Sequence, residues 1–365
     1  MVHTLELLQH PPIADAWHNV TAPGGYEWWY FDAEDVEHDR QIVAMLFDGC
    51  PFHSGYLRKY FAYARNPTRV PPPRPSEYIC AYFAVYHAGQ IEHQFMTQYP
   101  ADVFEGRLEK RHVTIGANRF AAGNALQRLE LTMGGIDWKS VQRSRRLRKQ
   151  MQKEISLWAD LRFLPRFASA PAQHELFSRE FAGSGGAHRW IIANSLCDVE
   201  GDILMPGSGH IRFRGRGYHD HQFGTGPIGS GIKQWFRGRL LLNDRCITFQ
   251  LVHPRDRRRE AEMHLVEIDA GGARQIDVEP SQIAVDWSQR TWAWLRYPNV
   301  VRLGDVLALA NPRVIDSSWF NLRIIYDASL RGQRGTALCE LTYPHRLRWP
   351  LLGRTIERSI DKRAM

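Results

Sequence analysis

The sequence predicts an all-β protein of two antiparallel barrels or sandwiches in tandem, with little helix. Three observations carry this reading. The chain has 365 residues, about two domains' worth of polypeptide. Its 12 Trp, 13 Tyr and 17 Phe stand beside 29 Gly and 20 Pro, a mixture that favours strands and turns over helices. A hairpin pattern also occurs twice. Trp28-Trp29-Tyr30-Phe31 precedes a charged turn and the apolar run Gln41-Ile42-Val43-Ala44. Trp235-Phe236 precedes Asn243-Asp244-Arg245 and then Cys246-Ile247-Thr248-Phe249.

In chain order, strand signals fall at 26–33, 41–48, 78–87, 90–97 and 126–133, each short, aromatic or β-branched, and bounded by turns. PTRVPPPRP at 67–75 reads as a surface loop or polyproline segment. The one helical signal is the polar stretch 142–153, after which a strand is expected over 155–163. The turn-rich FAGSGGA at 181–187 marks a domain boundary, giving domains 18–180 and 181–350. Further strands are expected over 188–196, 203–213, 233–242, 246–252, 262–268, 302–308, 319–326 and 336–343.

A composition with 44% hydrophobic and 24% charged residues excludes a disordered chain, a collagen-like chain and a bundle of membrane helices. No stretch approaches the roughly 20 apolar residues of a spanning helix. MVHTLELLQHPP lacks the pattern of a secretory signal, so the cytoplasm is the expected compartment. Cys50, Cys80, Cys197, Cys246 and Cys339 are odd in number and widely spaced, which suits buried free thiols. The net charge is +8, with basic runs at Arg143, Arg145, Arg146, Arg148, Lys149 and Lys153, and at Arg255, Arg257, Arg258 and Arg259. They suit solvated loops or peripheral contact with an anionic membrane. Neither interleaves aromatics with its cations, so no nucleic-acid partner is expected.

Phosphate-loop, zinc-helix and nucleophile-elbow motifs are all missing, and no cofactor signature is visible. The richest segment is GRGYHDHQFGTG at 215–226. If it is extended, Tyr218, Asp220 and Gln222 share one face, and His219 and His221 the other. Three readings stay open: Asp220 as a proton donor, His219 and His221 as metal ligands, or a tight loop held by structural hydrogen bonds. His188 and Trp190 likewise share a strand face. Such a pair can orient a carboxyl and stabilise a cation, or can simply be core. In Tyr26-Glu27-Trp28-Trp29-Tyr30-Phe31-Asp32, one alternating face must be core, and the other is able to line an apolar cavity.

These residues resemble a known family. YEWWYFDAE, HRW and GRGYHDHQFG, with most of the chain from about 20 to 345, are similar to the carotenoid 1,2-hydratase (hydroxyneurosporene synthase) family. That family lies within a wider AttH-like group of tandem lipocalin-like proteins that also includes fungal pericyclases. The resemblance implies two lipocalin-like β-barrels, an apolar ligand pocket near their junction, and neither metal nor organic cofactor. It also implies that H-x-W and Y-x-D carry activity, which here are His188, Trp190, Tyr218 and Asp220, with the aspartate as proton donor. The expected function is a cofactor-independent hydro-lyase adding water to a C=C bond of a carotenoid or other isoprenoid. A cyclase or pericyclase of a hydrophobic metabolite, or a carrier of a hydrophobic ligand, are the alternatives.

Overall fold

A computed structural model describes residues 14–122, 128–137, 156–167, 175–181, 186–206, 209–349, 353 and 360–362. The expected helix at 142–153, and with it the first basic run, lies outside the described residues. Among the described residues strand accounts for 61% and helix for 10%, arranged as two large curled, mainly antiparallel sheets and one short two-stranded pair. All five cysteines are free and buried. No helix among the described residues is long and apolar enough to cross a membrane.

The first unit begins with the hairpin β1 (Tyr26–Asp35) and β2 (Arg40–Asp48), followed by helix α1 (Ser54–Arg65). Then come β3 (Ile79–His87), β4 (Gln90–Tyr99), β5 (Phe104–Gly106), β6 (His112–Ile115) and β7 (Asn118–Ala122). The unit continues with β8 (Leu129–Ile136), β9 (Ser156–Pro165), β10 (Glu175–Phe181), β11 (Gly186–Met205) and β12 (Gly209–Gly224). The long hairpin of β11 and β12 returns to the start of the chain, so β12 pairs with β1 on one side and β11 on the other. Trp29, Phe31, Ile42, Phe83, Leu131 and Phe163 centre this unit's core.

That return moves the domain boundary. The first compact unit runs to Pro227 and takes in the chain end from Gly353, and the second is Ile228–Leu352. The division expected at 180/181 therefore falls ahead of the two strands that complete the first sheet. β11 also carries register shifts between Ile192 and Asn194 and between Asn194 and Cys197.

The second unit holds β13 (Ile232–Leu241), β14 (Arg245–Pro254), β15 (Glu262–Asp269), β16 (Gly272–Gln275), β17 (Ile283–Asp286) and the short pair β18 (Gln289–Arg290) and β19 (Arg296–Tyr297). It ends with β20 (Val300–Leu303), β21 (Leu307–Ser317), β22 (Asn321–Leu330) and β23 (Gln333–Thr342), while β24 (Asp361–Lys362) joins the first sheet beside β4. β13 and β14 form the second of the two aromatic hairpins. The strand expected over 302–308 is interrupted because Gly304, at φ 57, turns the chain between β20 and β21.

Sequence pattern does not reveal α1. Its residues SGYLRKYFAYAR are aromatic enough to read as strand, and its cap is a histidine, whose side chain accepts from the Tyr56 amide. Tyr56 then fastens the helix to the start of β1 by donating to the Gly25 carbonyl (2.7 Å).

In the second sheet, Glu340 on β23 bonds Arg237 on β13 (2.6 Å) and Arg323 on β22 (2.7 Å). Burial opposes its ionisation, but the two guanidinium groups hold its carboxyl at about 2. A depressed carboxylate adds stability that is present above its unfolded value and lost as pH falls through the folded one. Glu340→Gln should therefore cost about 3 kcal/mol at pH 7. Denaturant melts should show that cost shrinking below pH 4.5 towards pH 2; a cost independent of pH would refute the ion-pair account.

Candidate functional site

In an antiparallel pair, directly opposed residues point to the same face. β1 and β12 place Trp28 opposite Gln222, Tyr30 opposite Asp220, and Asp32 opposite Tyr218. On the other side of β12, β11 places His188 opposite Gly224, Trp190 opposite Gln222, and Ile192 opposite Asp220. His188, Trp190, Tyr218 and Asp220 thus share one face with Tyr26, Trp28 and Tyr30, and all are buried.

The contacts on this face centre on Asp220. Trp190 Nε1 donates to its Oδ2 (3.1 Å), and Gln222 Nε2 donates to its Oδ1 (2.8 Å). The carboxyl is therefore held in one orientation, with an N–H donor on each oxygen. His188 is fixed separately: its Nδ1 bonds the Tyr26 hydroxyl (2.8 Å), and its ring stacks near Trp28 at 6.0 Å. Tyr218 lies along β12 with its ring edge towards Tyr30, 6.5 Å away. Trp190, expected as a cation-stabilising ring, thus also binds Asp220 through its N–H.

Gln222 and Tyr26 escape motif reading. The signal for both is parity: Gln222 shares a face with Asp220, and Tyr26 shares one with Trp28. The flanking glycines have a steric reason. A Cβ on Gly215 would lie 2.0 Å from the Glu34 carbonyl oxygen, and one on Gly224 would lie 2.5 Å from the Tyr26 hydroxyl. Only glycine lets β12 run this close to β1 and leaves the Tyr26–His188 bond in place.

The opposite face carries a second polar cluster. His219 Nδ1 donates to the Tyr30 carbonyl (2.9 Å), and its Nε2 meets Asp15 at 3.1 Å. Its ring stacks on Phe31 at 4.0 Å. Burial would raise Asp15, but the adjoining His219 brings it below its ordinary value. Glu27 Oε1 receives the His18 amide (2.8 Å), His18 Nδ1 (2.9 Å) and His221 Nε2 (2.9 Å). Burial pushes Glu27 up and His221 down from their ordinary values, and their mutual bond opposes both shifts.

His18, Glu27 and His221 are ligand types for a metal, with their atoms within 4.8 Å of one another. Here, however, the donors converge on a single carboxylate oxygen at hydrogen-bond distances. His219 and His221 both lie against Asp15, at 3.1 Å and 3.6 Å, and His221 reaches Glu27 as well. The geometry is that of a lock: Asp15, Trp17 and His18, from the segment before β1, each bond a residue of the sheet.

Trp17 completes the lock by donating its indole N–H to Asp48 Oδ2 (2.8 Å). Burial, and then the neighbouring Glu27, push Asp48 up to about 7. A raised carboxyl contributes stability that is complete below its unfolded value and lost as pH rises to the folded one. At pH 4, Asp48→Asn should therefore be near neutral. Above pH 7 it should stabilise, by as much as about 4 kcal/mol. Chemical denaturation of both proteins across that range checks this; parallel pH profiles would contradict it.

A family model described as carotenoid hydratase CrtC matches residues 176–365, a span that contains all four residues of the H-x-W and Y-x-D pairs. The chain is similar to a hydroxyneurosporene dehydrogenase from Chlorobaculum tepidum, at 29% identity over 279 residues, or 74% of this chain and 68% of that one. It is also similar to an acyclic carotenoid 1,2-hydratase from Thiocapsa roseopersicina, at 26% identity over 216 residues, or 58% of this chain but only 44% of that one. Among solved structures, a protein described as AttH from Nitrosomonas europaea has the same fold. Its TM-score is 0.58 at 14% identity, covering 90% of this chain and 95% of that one.

Proposed function

Because the chain belongs to the carotenoid hydratase CrtC family, we propose that it is a hydro-lyase that adds water to a C=C bond of a carotenoid or related isoprenoid. The observation that carries the reading is the orientation of Asp220. Its carboxyl is buried on an aromatic face, with Trp190 and Gln222 each donating to one oxygen.

An unactivated alkene requires a strong, well-placed acid. Asp220 donates its carboxyl proton to one alkene carbon, which leaves a tertiary cation on the other. The oxygen of water bonds to that cation. The added water then loses a proton, which returns to the Asp220 carboxylate. The sum is one water added and the acid regenerated. No electrons move between partners, so the reaction asks for no redox cofactor, and in this reading the proton comes from Asp220 alone.

Trp190 and Gln222 act when the proton leaves. Their N–H groups already point at the oxygens on which negative charge develops, and such bonds strengthen as their acceptor ionises. The faces of Trp28, Tyr30 and Trp190 suit the cation. His188, held by Tyr26, and Tyr218 are positioning residues along the same face. A cyclase would start with the same protonation, whereas a carrier has no use for an oriented acid. An isoprenoid substrate resides in a bilayer, so peripheral membrane contact belongs to this reading, with the Arg255–Arg259 run as one basic loop available for it.

The test is product formation from an acyclic carotenoid, with thermal melting as a folding control. Asp220→Asn should lower turnover by about 10²–10⁴-fold or more while melting like the wild type. Trp190→Phe keeps the ring and loses the N–H, so it should lower kcat with little change in KM, as should Gln222→Ala. Tyr218→Phe should cost least, and His188→Ala should fall between it and Asp220→Asn. A folded Asp220→Asn variant with wild-type turnover would end the mechanism. A wild type that binds the carotenoid but never converts it would favour a carrier.

A further inference from the structure

The short hairpin of β18 and β19 presents a surface that the reaction does not use. Arg290, Trp292, Trp294 and Arg296 alternate with Thr291, Ala293 and Leu295. The first four are exposed, whereas Ala293 and Leu295 are buried in the second unit's core. Trp292 is 63% and Trp294 73% exposed, and Trp349 nearby is 49% exposed. We infer that this tip is a docking surface for an anionic lipid bilayer.

The tip is held open from beneath. Thr291 N donates to the Leu295 carbonyl (3.0 Å), and Trp294 turns the chain at φ 58. Arg346 donates to the carbonyls of Ala293 (2.8 Å), Trp294 (3.1 Å) and Trp319 (3.3 Å), and its guanidinium lies 5.3 Å from the Trp349 ring centre. Trp292 meets Trp319 edge-on at 4.7 Å. The backbone is thus fixed by bonds that leave the two outer indoles in water.

Exposed tryptophans grouped on one surface are rare in proteins with nothing to cover them. The occupant is set by the charge around them. Among the described residues, none of Lys233, Arg255, Arg290, Arg296 and Arg346 forms an ion pair with an acidic side chain. His345, beside Trp349, is lowered first by burial and then by Arg346, Arg255 and Lys233, which places several cations around one point. Indoles suit the depth of lipid headgroups, with an apolar ring and a polar N–H, and arginines beside them meet the phosphates. The inference rests on the isoprenoid reading only for its purpose, which is access to a substrate dissolved in the bilayer.

Flotation of the full chain with vesicles tests it, using phosphatidylcholine alone or with about 30% phosphatidylglycerol. The wild type should float with the anionic vesicles and be released as salt rises. Trp292→Ser with Trp294→Ser should weaken binding about tenfold or more with unchanged melting. Arg290→Gln with Arg296→Gln should weaken the preference for anionic lipid, and its salt dependence with it. A wild type that stays unbound at low salt, or variants that float as well as it does, would overturn the inference. So would a dimer that the tryptophan variant abolishes, since the tip would then join two copies of the chain. Turnover of detergent-dispersed carotenoid separates the two readings. Turnover without vesicle binding overturns the surface and leaves the hydratase, and binding without turnover does the reverse.

Discussion

The structure of the first unit depends on one pairing: β12 hydrogen-bonds β1 and β11 at once. Because side chains alternate along a strand, that double pairing sorts three strands' residues onto two faces. One face gathers Asp220, Trp190, Gln222, His188 and Tyr26. The other gathers His219, His221 and Glu27 with the aromatic core. A shift of one residue between β1 and β12 would exchange the two sets and leave neither cluster intact.

The two faces handle buried polar groups differently. On the inner face, carboxylates and histidines bond one another and clamp the segment around Asp15, Trp17 and His18 against the sheet. On the outer face, Trp190 and Gln222 each donate a neutral N–H to one oxygen of Asp220 and so orient its carboxyl.

Much of this was legible in the sequence where the period of two was at work. Alternation alone separates Tyr218 and Asp220 from His219 and His221, and the repeated aromatic hairpin marks both β1–β2 and β13–β14. What alternation cannot supply is register, so the Trp190–Asp220 bond and the role of Gln222 appear only once the strands are paired. The boundary was misplaced because FAGSGGA has the composition of a linker, whereas the two strands beyond it complete a sheet begun some 150 residues earlier. Asp15 and His18 gave no signal, since they lie in an irregular segment whose partners are far along the chain. α1 was hidden by tyrosines and phenylalanines that serve helix and strand alike.

The two register shifts in β11 have a bearing on how length can vary in this chain. Up to Ile192, even-numbered residues lie on the face of Asp220. Asn194 is even-numbered, yet it stands opposite His219, on the other face. By Cys197 and Val199 the odd-numbered residues again meet the core. Each irregularity advances the strand by one residue, and together they cancel. β11 therefore behaves like a reading frame: losing one residue between 193 and 196 would throw either Trp190 or Val199 onto the wrong side. Losing two would leave both in phase, on a straighter strand.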